Sequence, residues 1–440
     1  MILDVSEHTL SKIKNTRLRS NAEVYVRIYQ DFLEQVRQIG IEFESEDDRR
    51  KVHSRLQALK KKGAKLRNNK HAVSLNRISS ACKACQKGVG SATFFISLQC
   101  HRDCFYCFNP NQLHYQEFRE KPRELGAELR KLSINGNQVS HVALTGGEPL
   151  LHKADTIRFF EEARRDFPGV HTRLYTTGDH LDRETLQALK DAGLSEIRIS
   201  LRMHDSPNAR ELNYRNISLS QEYIPQVMVE MPVLPGTLEE MKAILLDLDR
   251  LGLDCINLLE FCFPLHNTAA FRERGYKVKA RPYAVLYDYW YAGGLPVAGS
   301  ETVCLDLVEF ALEQNLTMGV LYCSLENKHT GQIYQQNSQR VFSEPVYFSQ
   351  KDYFLKSAKV FGEDIPAVKA IFDSQGYTGY RLDLEQDLLE FNPKRVKLLK
   401  SLDVEIGIST AVHEIRDGES VVRELKLDIT TPKRFTLSEV

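Results

Sequence analysis

Hydrophobic and polar positions follow two different periods along this chain. Between residues 90 and 265, short β-prone apolar runs alternate with stretches in which apolar residues recur at helical spacing. The runs predict strands at 93–98, 141–145, 171–176, 195–201, 226–231 and 255–261. Helical patterns fill the gaps at 122–132, 155–167, 181–192 and 237–251, with Gly193 and Gly252 as stop signals. Repeated strand–helix units of this length predict an α/β fold with a parallel sheet and right-handed crossovers.

The flanks read differently. Residues 1–80 are mostly helical in pattern, with Val24, Ile28, Phe32 and Val36 as the apolar stripe of a helix over 22–39. Acidic residues at 44–48 open a second helix, which runs through Leu56 and Leu59 into a basic stretch at 60–70. Residues 265–340 carry Tyr283, Tyr287, Tyr289, Trp290 and Tyr291 around Gly293 and Gly294: either the lining of a substrate entrance or a packed corner. The polar segment 329–338 reads as a lid. From about 345, shorter strands and helices end in a hairpin turned at Asp417-Gly418, a small α+β domain. The expected domains are a helical region at 1–89, the strand–helix body at 90–340 and a C-terminal domain at 341–440, read as a substrate-recognition module.

Composition narrows the class. Lys+Arg and Asp+Glu are equal at 59 each, so overall charge argues for neither a nucleic-acid nor a membrane partner. The basic stretch at 60–70 reads first as a solvated face and second as a contact for RNA or an acidic peptide. The N-terminus lacks the basic-then-apolar order of a signal peptide, and no apolar run approaches the ~18 residues of a membrane span. Nine cysteines in such a chain suggest a reducing, cytoplasmic setting with thiols kept for metals.

Three of those cysteines, Cys100, Cys104 and Cys107, fall on the loop that follows the first strand of the body. Thiolates are soft ligands suited to iron–sulfur clusters and zinc. Three are one short of a closed four-ligand site, so a cluster held here keeps one iron open.

This C-x3-C-x2-C spacing, with Tyr106 before the third cysteine, resembles that of the radical S-adenosylmethionine (radical SAM) enzymes. Thr145-Gly146-Gly147-Glu148-Pro149 resembles the family's second motif. The resemblance spans about residues 90–265 and implies a partial, six-stranded (β/α) barrel. It implies that Cys100, Cys104 and Cys107 hold a [4Fe–4S] cluster whose open iron takes S-adenosylmethionine. It further implies that Gly146, Gly147, Glu148 and Pro149 contact the cofactor's methionine moiety. One-electron cleavage would give a 5′-deoxyadenosyl radical that abstracts hydrogen from a substrate. An electron donor such as flavodoxin or ferredoxin is implied as a partner.

In barrels of this kind the chemistry sits at the C-terminal strand ends. That rule nominates Thr176, Thr177 and Gly178, then Ser200 and Arg202, where the resemblance implies contacts to cofactor ribose or carboxylate, then Glu230 and Glu260. His101, Arg102 and Asp103 read as loop-shaping residues. The turn-forming 109–112 segment either touches substrate or folds back the loop.

Cys82 and Cys85 form a C-x2-C half-site fifteen residues upstream of Cys100, followed by Gly88. They are either a thiol or redox pair, or two ligands of a second metal site, zinc or iron–sulfur. Cys255, Cys262, Cys304 and Cys323 are the available partners, and Cys323, at the end of a short apolar run, is the preferred one. For the reaction served, a peptide or protein substrate stands first and a small metabolite or cofactor precursor second. A non-catalytic metal protein binding RNA is a third reading, against which the 145–149 motif argues.

Overall fold

The computed structural model describes residues 2–134, 139–285, 294–338 and 342–440. The chain divides into two compact units: one of Met1–Gly40, Tyr283–Tyr289 and Gln332–Val440, the other of Ile41–Pro282 and Trp290–Gly331. This departs from the expected boundaries. The first helix belongs with the C-terminal domain, and residues 41–89 belong with the barrel.

The larger unit is built on one sheet. Its strands are β1 (Lys65–Arg67), β2 (Ala72–Leu75), β3 (Ser91–Phe95), β4 (His141–Thr145), β5 (His171–Thr176), β6 (Glu196–Ser200), β7 (Gln226–Val233), β8 (Cys255–Glu260) and, after the short pair β9 (Cys262–Phe263) and β10 (Leu295–Pro296), β11 (Gly319–Cys323). The order is β1-β2-β11-β8-β7-β6-β5-β4-β3. Strands β3 to β8 run parallel to their neighbours, as expected of six strand–helix units. A seventh parallel strand, β11, follows, and β2 and β1 then extend the sheet antiparallel. The segment around 65–75, expected to be helical or loop, supplies those two strands.

Alternation along the strands separates two faces. Val142, Leu144, Leu174, Ile197, Ile199, Val227, Val229, Ile256, Leu258, Val320 and Tyr322 pack with Phe159, Phe160, Leu186, Leu189 and Leu245 of the covering helices into the main core. Burial of this apolar layer drives the unit together. The inner face is different in kind: Arg173, Glu196, Arg198 and Asn257 are buried there. Helix Ser80–Cys85 lies against that face, where Cys82 packs with Ala72, Met228, Cys255 and Leu321.

The polar run at 329–338 is not a lid loop: it belongs to helix Leu325–Ser338, with Asn327, His329, Thr330 and Asn337 buried. Of the aromatic cluster, Tyr283 is buried; Tyr287, Tyr289, Trp290, Tyr291 and Gly293 lie outside the described residues.

The smaller unit contains an antiparallel sheet of β12 (Tyr347–Phe348), β13 (Leu355–Phe361), β14 (Arg381–Asp383), β15 (Leu388–Phe391), β16 (Ile406–Arg416) and β17 (Glu419–Thr430). Asp417 and Gly418 turn its long hairpin with φ of 51° and 83°, the left-handed pair that this dipeptide favours. Helix Thr16–Gln38 starts at Asn15, whose side chain accepts the Leu18 N–H. It buries Leu18 and Ala22 with Phe361, Leu388 and Leu427. Val24 and Ile28, expected on the packed stripe, are exposed; the stripe runs through Leu18, Ala22, Phe32 and Val36.

Candidate active site

The loop bearing Cys100, Cys104 and Cys107 leaves β3 and turns over the C-terminal ends of β3 and β4. All three thiols are free and half-buried. Cys104 and Cys107 close one turn through a backbone bond of 2.9 Å. The Arg102 N–H reaches Cys100 Sγ at 3.4 Å. Burial, with smaller contributions from the other two thiols, pushes Cys107 up to about 11. Burial also raises Cys100, with Cys104 a lesser contributor.

The segment at 145–149 is fastened to the root of this loop. The Gly147 N–H donates to Ser97 O at 3.0 Å and the Glu148 N–H to Gln99 O at 2.8 Å. A Cβ on Gly146 would stand 2.4 Å from Ser97 O, and one on Gly147 2.0 Å from Gln99 O. The glycines are therefore required by the close approach of two stretches of this chain's own backbone. Asn109 adds a side-chain bond to Gly146 O at 3.0 Å. Of the two readings of 109–112, the structure supports the fold-back: Gln112 donates to Asn109 at 3.1 Å, and Asn111 to Pro264 O.

Glu148 does not present a free carboxylate. It is buried, and it accepts from Leu150 N at 2.9 Å, Thr176 Oγ1 at 2.8 Å and Thr177 N at 2.6 Å. It ties the end of β4 to the end of β5. This accounts for Thr176 and Thr177 together, and Pro149, the residue after Glu148, is buried.

The loop is also clamped from outside. Arg102 grips Asp179 through Nε at 2.7 Å and Nη2 at 2.5 Å, and His101 adds a bond of 2.7 Å. Burial alone would raise Asp179, but the Arg102 and His101 bonds hold it at about 2. Arg102 also reaches Asp205 at 3.3 Å. His101 and Arg102 thus shape the loop, as expected. Asp179 and Asp205 were not singled out from the sequence, where they lie far from the cysteines and carry no motif. His266 meets Cys107 O at 2.7 Å, and Asn267 donates to Phe105 O at 3.0 Å.

Tyr106 packs its ring against Phe105, His204 and Phe261. Its hydroxyl is buried beside Cys104, and burial, followed by Cys104, raises its pKa. Ser200 ends β6, half-buried. Arg202 lies two residues on, buried, with Nη1 3.6 Å from Asp205 Oδ2. That is too long for a hydrogen bond, and both atoms are left without one.

The remaining nominees sit elsewhere. Glu230 is inside β7, not at its end; it accepts from Asn257 at 2.6 Å and Arg198 at 3.2 Å. Glu260 ends β8, accepts the Leu325 N–H at 2.8 Å and pairs with Lys279. Cys82 and Cys323 are buried and Cys85 is exposed. Cys304 is buried in the main core and Cys255 on the inner face.

Three thiols on one clamped loop, with the buried Arg202 Nη1 left without a hydrogen bond nearby, fit a thiolate-held cluster with a polar ligand beside it. Among the described residues no three His, Cys, Asp or Glu side chains converge on a position for a single ion. A cluster, in which each thiolate binds a different iron, asks for a wider set than one ion does.

Residues 94–248 match the family model described as the Radical SAM superfamily. The barrel segment over residues 94–248 carries a radical SAM superfamily domain. It is 28% identical over 214 residues to a putative glycyl-radical enzyme activating enzyme of Methanocaldococcus jannaschii, covering 46% of this chain and 56% of that one. It is 35% identical over 105 residues to the PqqA peptide cyclase of Rhodopseudomonas palustris, covering 24% and 26%. The chain thus spans about half the length, or less, of these curated relatives. Streptococcus suis SuiB bound to the precursor peptide SuiA aligns with a TM-score of 0.39 at 12% identity, over 72% of this chain and 67% of that one. The partial (β/α) barrel of this superfamily is the parallel sheet described above. Among the described residues no helix is long and apolar enough to cross a membrane.

Proposed function

We propose that this protein is a radical SAM enzyme acting on a peptide or protein substrate. The observation that carries the reading is that the two motifs form one construction. The thiol loop and the 146–148 turn are joined by the Gly147–Ser97 and Glu148–Gln99 backbone bonds at the ends of adjacent parallel strands. Cys100, Cys104 and Cys107 would hold a [4Fe–4S] cluster. When bound, the cluster and S-adenosylmethionine supply one-electron cleavage of a carbon–sulfur bond and a deoxyadenosyl radical able to take hydrogen from unactivated carbon.

The protein's own part is positioning. Asp179, through Arg102 and His101, holds the loop in one shape. Glu148 spends its carboxylate on Thr176, Thr177 and Leu150, and Asn109, Leu151 and Thr156 take the carbonyls of Gly146, Glu148 and Pro149, so the cofactor ammonium would meet Gly147 O. Arg202, with a buried Nη1 that lacks a hydrogen bond, would take the cofactor carboxylate, and Ser200 a ribose hydroxyl. Phe105, Tyr106, Phe261 and Phe271 form an apolar wall that keeps water from a reactive intermediate.

The relatives named for activating an enzyme and for cyclising a peptide support the peptide or protein substrate, and those named as GTP 3′,8-cyclases support a small molecule as the second reading. Anaerobically reconstituted protein with dithionite should convert S-adenosylmethionine to methionine and 5′-deoxyadenosine, and Cys104→Ala should abolish this. Cluster-loaded wild type that releases neither product sinks the reading. Turnover stimulated by the peptide fraction of a cell extract supports the substrate class. Stimulation confined to the small-molecule filtrate overturns it.

A further inference from the structure

The turn that follows β6 carries two buried groups of opposite charge whose facing atoms are both unbonded. The Asp205 N–H donates to Arg202 O at 3.2 Å and closes residues 202–205 into one turn. The side chain of Arg202 is 6% exposed and that of Asp205 2%. Arg202 Nη1 stands 3.6 Å from Asp205 Oδ2, and both atoms are sealed from solvent without a hydrogen bond. Each ion has lost its water, and neither has gained a bond in exchange.

The other oxygen of Asp205 is in use. Oδ1 accepts from Arg102 Nη1 at 3.3 Å, and Arg102 lies on the thiol loop between Cys100 and Cys104. One carboxylate thus stands between that loop and Arg202. The main clamp on the loop is elsewhere, since Arg102 gives Nε and Nη2 to Asp179. Arg202 has no such second partner: Asp205 is its one ion pair among the described residues. His204, in the same turn, sets its ring against Phe105 and Tyr106, with centroids 6.2 and 5.7 Å apart. Arg202 is close enough to Cys100 for its charge to oppose the rise that burial imposes on that thiol.

Two effects compete at Arg202. Negative charge beside a guanidinium weakens its pull on a second anion. It also fixes the direction of the planar group, which carries more N–H donors than one carboxylate uses. Here Asp205 neutralises without occupying, because its Oδ2 makes no hydrogen bond. Without it the buried guanidinium would be an unpaired cation and would swing toward water. Orientation therefore outweighs competition. We propose that Asp205 is a positioning residue: it holds Arg202 from behind for the cofactor carboxylate and, through Arg102, sets that contact against the thiol loop. The inference rests on the reading of Arg202 as the carboxylate contact and adds the residue that aims it.

The test is binding without reductant, so no cleavage is needed. The full chain, reconstituted anaerobically, is dialysed to equilibrium with S-adenosylmethionine and with its decarboxylated form, which lacks only the carboxylate. Wild type should prefer the carboxylate-bearing cofactor by about tenfold, the scale of one charge-assisted contact. D205N and D205S should lose most of that preference and bind the decarboxylated form as wild type does. Measuring both guards against one that folds poorly. Variants that keep the preference overturn the inference. So do variants that bind the cofactor more tightly, because competition would then be the larger effect. Equal weakening toward both probes overturns it too, since a merely structural role acts on both. A wild type with no preference would instead sink the assignment of Arg202 in the proposed function.

Discussion

The thiol loop over β3 and β4 and the thiols on the inner face hold the same residue type in opposite ways. Cys100, Cys104 and Cys107 are half-buried on irregular chain, and bonds from outside set their positions: Asp179 on Arg102, His266 on Cys107 O, Ser97 and Gln99 on the 146–148 turn. Cys82 and Cys323 are buried on regular elements, and the scaffold itself aims a donor at each sulfur. A loop fixed at its rim leaves one side open to a small molecule. A site walled by strands does not. The difference separates thiols that a small molecule can approach from thiols that the scaffold encloses.

The largest expected effect breaks the comparison on the enclosed side. Arg198→Met removes the cation between Glu196, bonded at 2.5 Å, and Glu230, at 3.2 Å. Glu196, buried, and Glu230, half-buried, then lose their shared cation and keep only His171 and Ser79 on the one and Asn257 on the other, a loss of about 3–5 kcal/mol. Urea unfolding should show the midpoint fall well below that of any loop variant. A shift no larger than that of Asp179→Asn would mean the inner face is wet, and the contrast would collapse.

Next comes Gly147→Ala, at the root of the open side. The added methyl would meet Gln99 O at 2.0 Å, backbone against backbone. Relief requires parting the two bonds at Ser97 and Gln99, at about 2–3 kcal/mol. Hydrogen exchange should quicken at the Gly147 and Glu148 amides while the amides of β6 and β7 stay protected. Glu148→Gln follows at about 2 kcal/mol, since an amide nitrogen would replace one oxygen that now accepts an N–H. Its signature is accelerated exchange at Thr177 N–H or Leu150 N–H without loss of the sheet.

Much of this contrast was legible in the sequence, and the parts that were not share a cause. Strands β4 and β5 match expectation end to end, because each is a β-prone run bounded by turn residues. The thiol loop was legible because its ligands are local. Strand β2 has four residues, all buried, and β1 is mostly polar, so neither shows the alternation that marks a strand. The segment 329–338 was read as a lid because its run is polar; the helix it belongs to buries His329, Thr330 and Asn337 alongside Leu325 and Ile333, so packing, not polarity, decided its place. Glu148 was assigned to the cofactor on resemblance, and only the geometry shows Thr176 and Thr177 claiming its carboxylate. Asp179 lies more than seventy residues from Arg102 and carries no spacing signal at all.

That aspartate gives the smallest effect and the finest probe of the open side. Its carboxyl is held at about 2 in the folded protein by Arg102 and His101, below the usual value of about 3.9. The folded state therefore binds this proton less readily than the unfolded chain. The stabilisation is fully present above pH ~4 and is lost as pH falls through about 2. Solvent reaches part of the group, so screening trims it to about 1 kcal/mol. Asp179→Asn should remove that slice of acid sensitivity and no more of global stability. At neutral pH the same change should leave Arg102 with Asp205 alone and raise proteolytic nicking between Cys100 and Cys107, while the amides of β6 and β7 stay protected. A variant that kept the loop protected would show that the backbone bonds at Ser97 and Gln99 suffice, and that the charged clamp is dispensable to the centre it encloses.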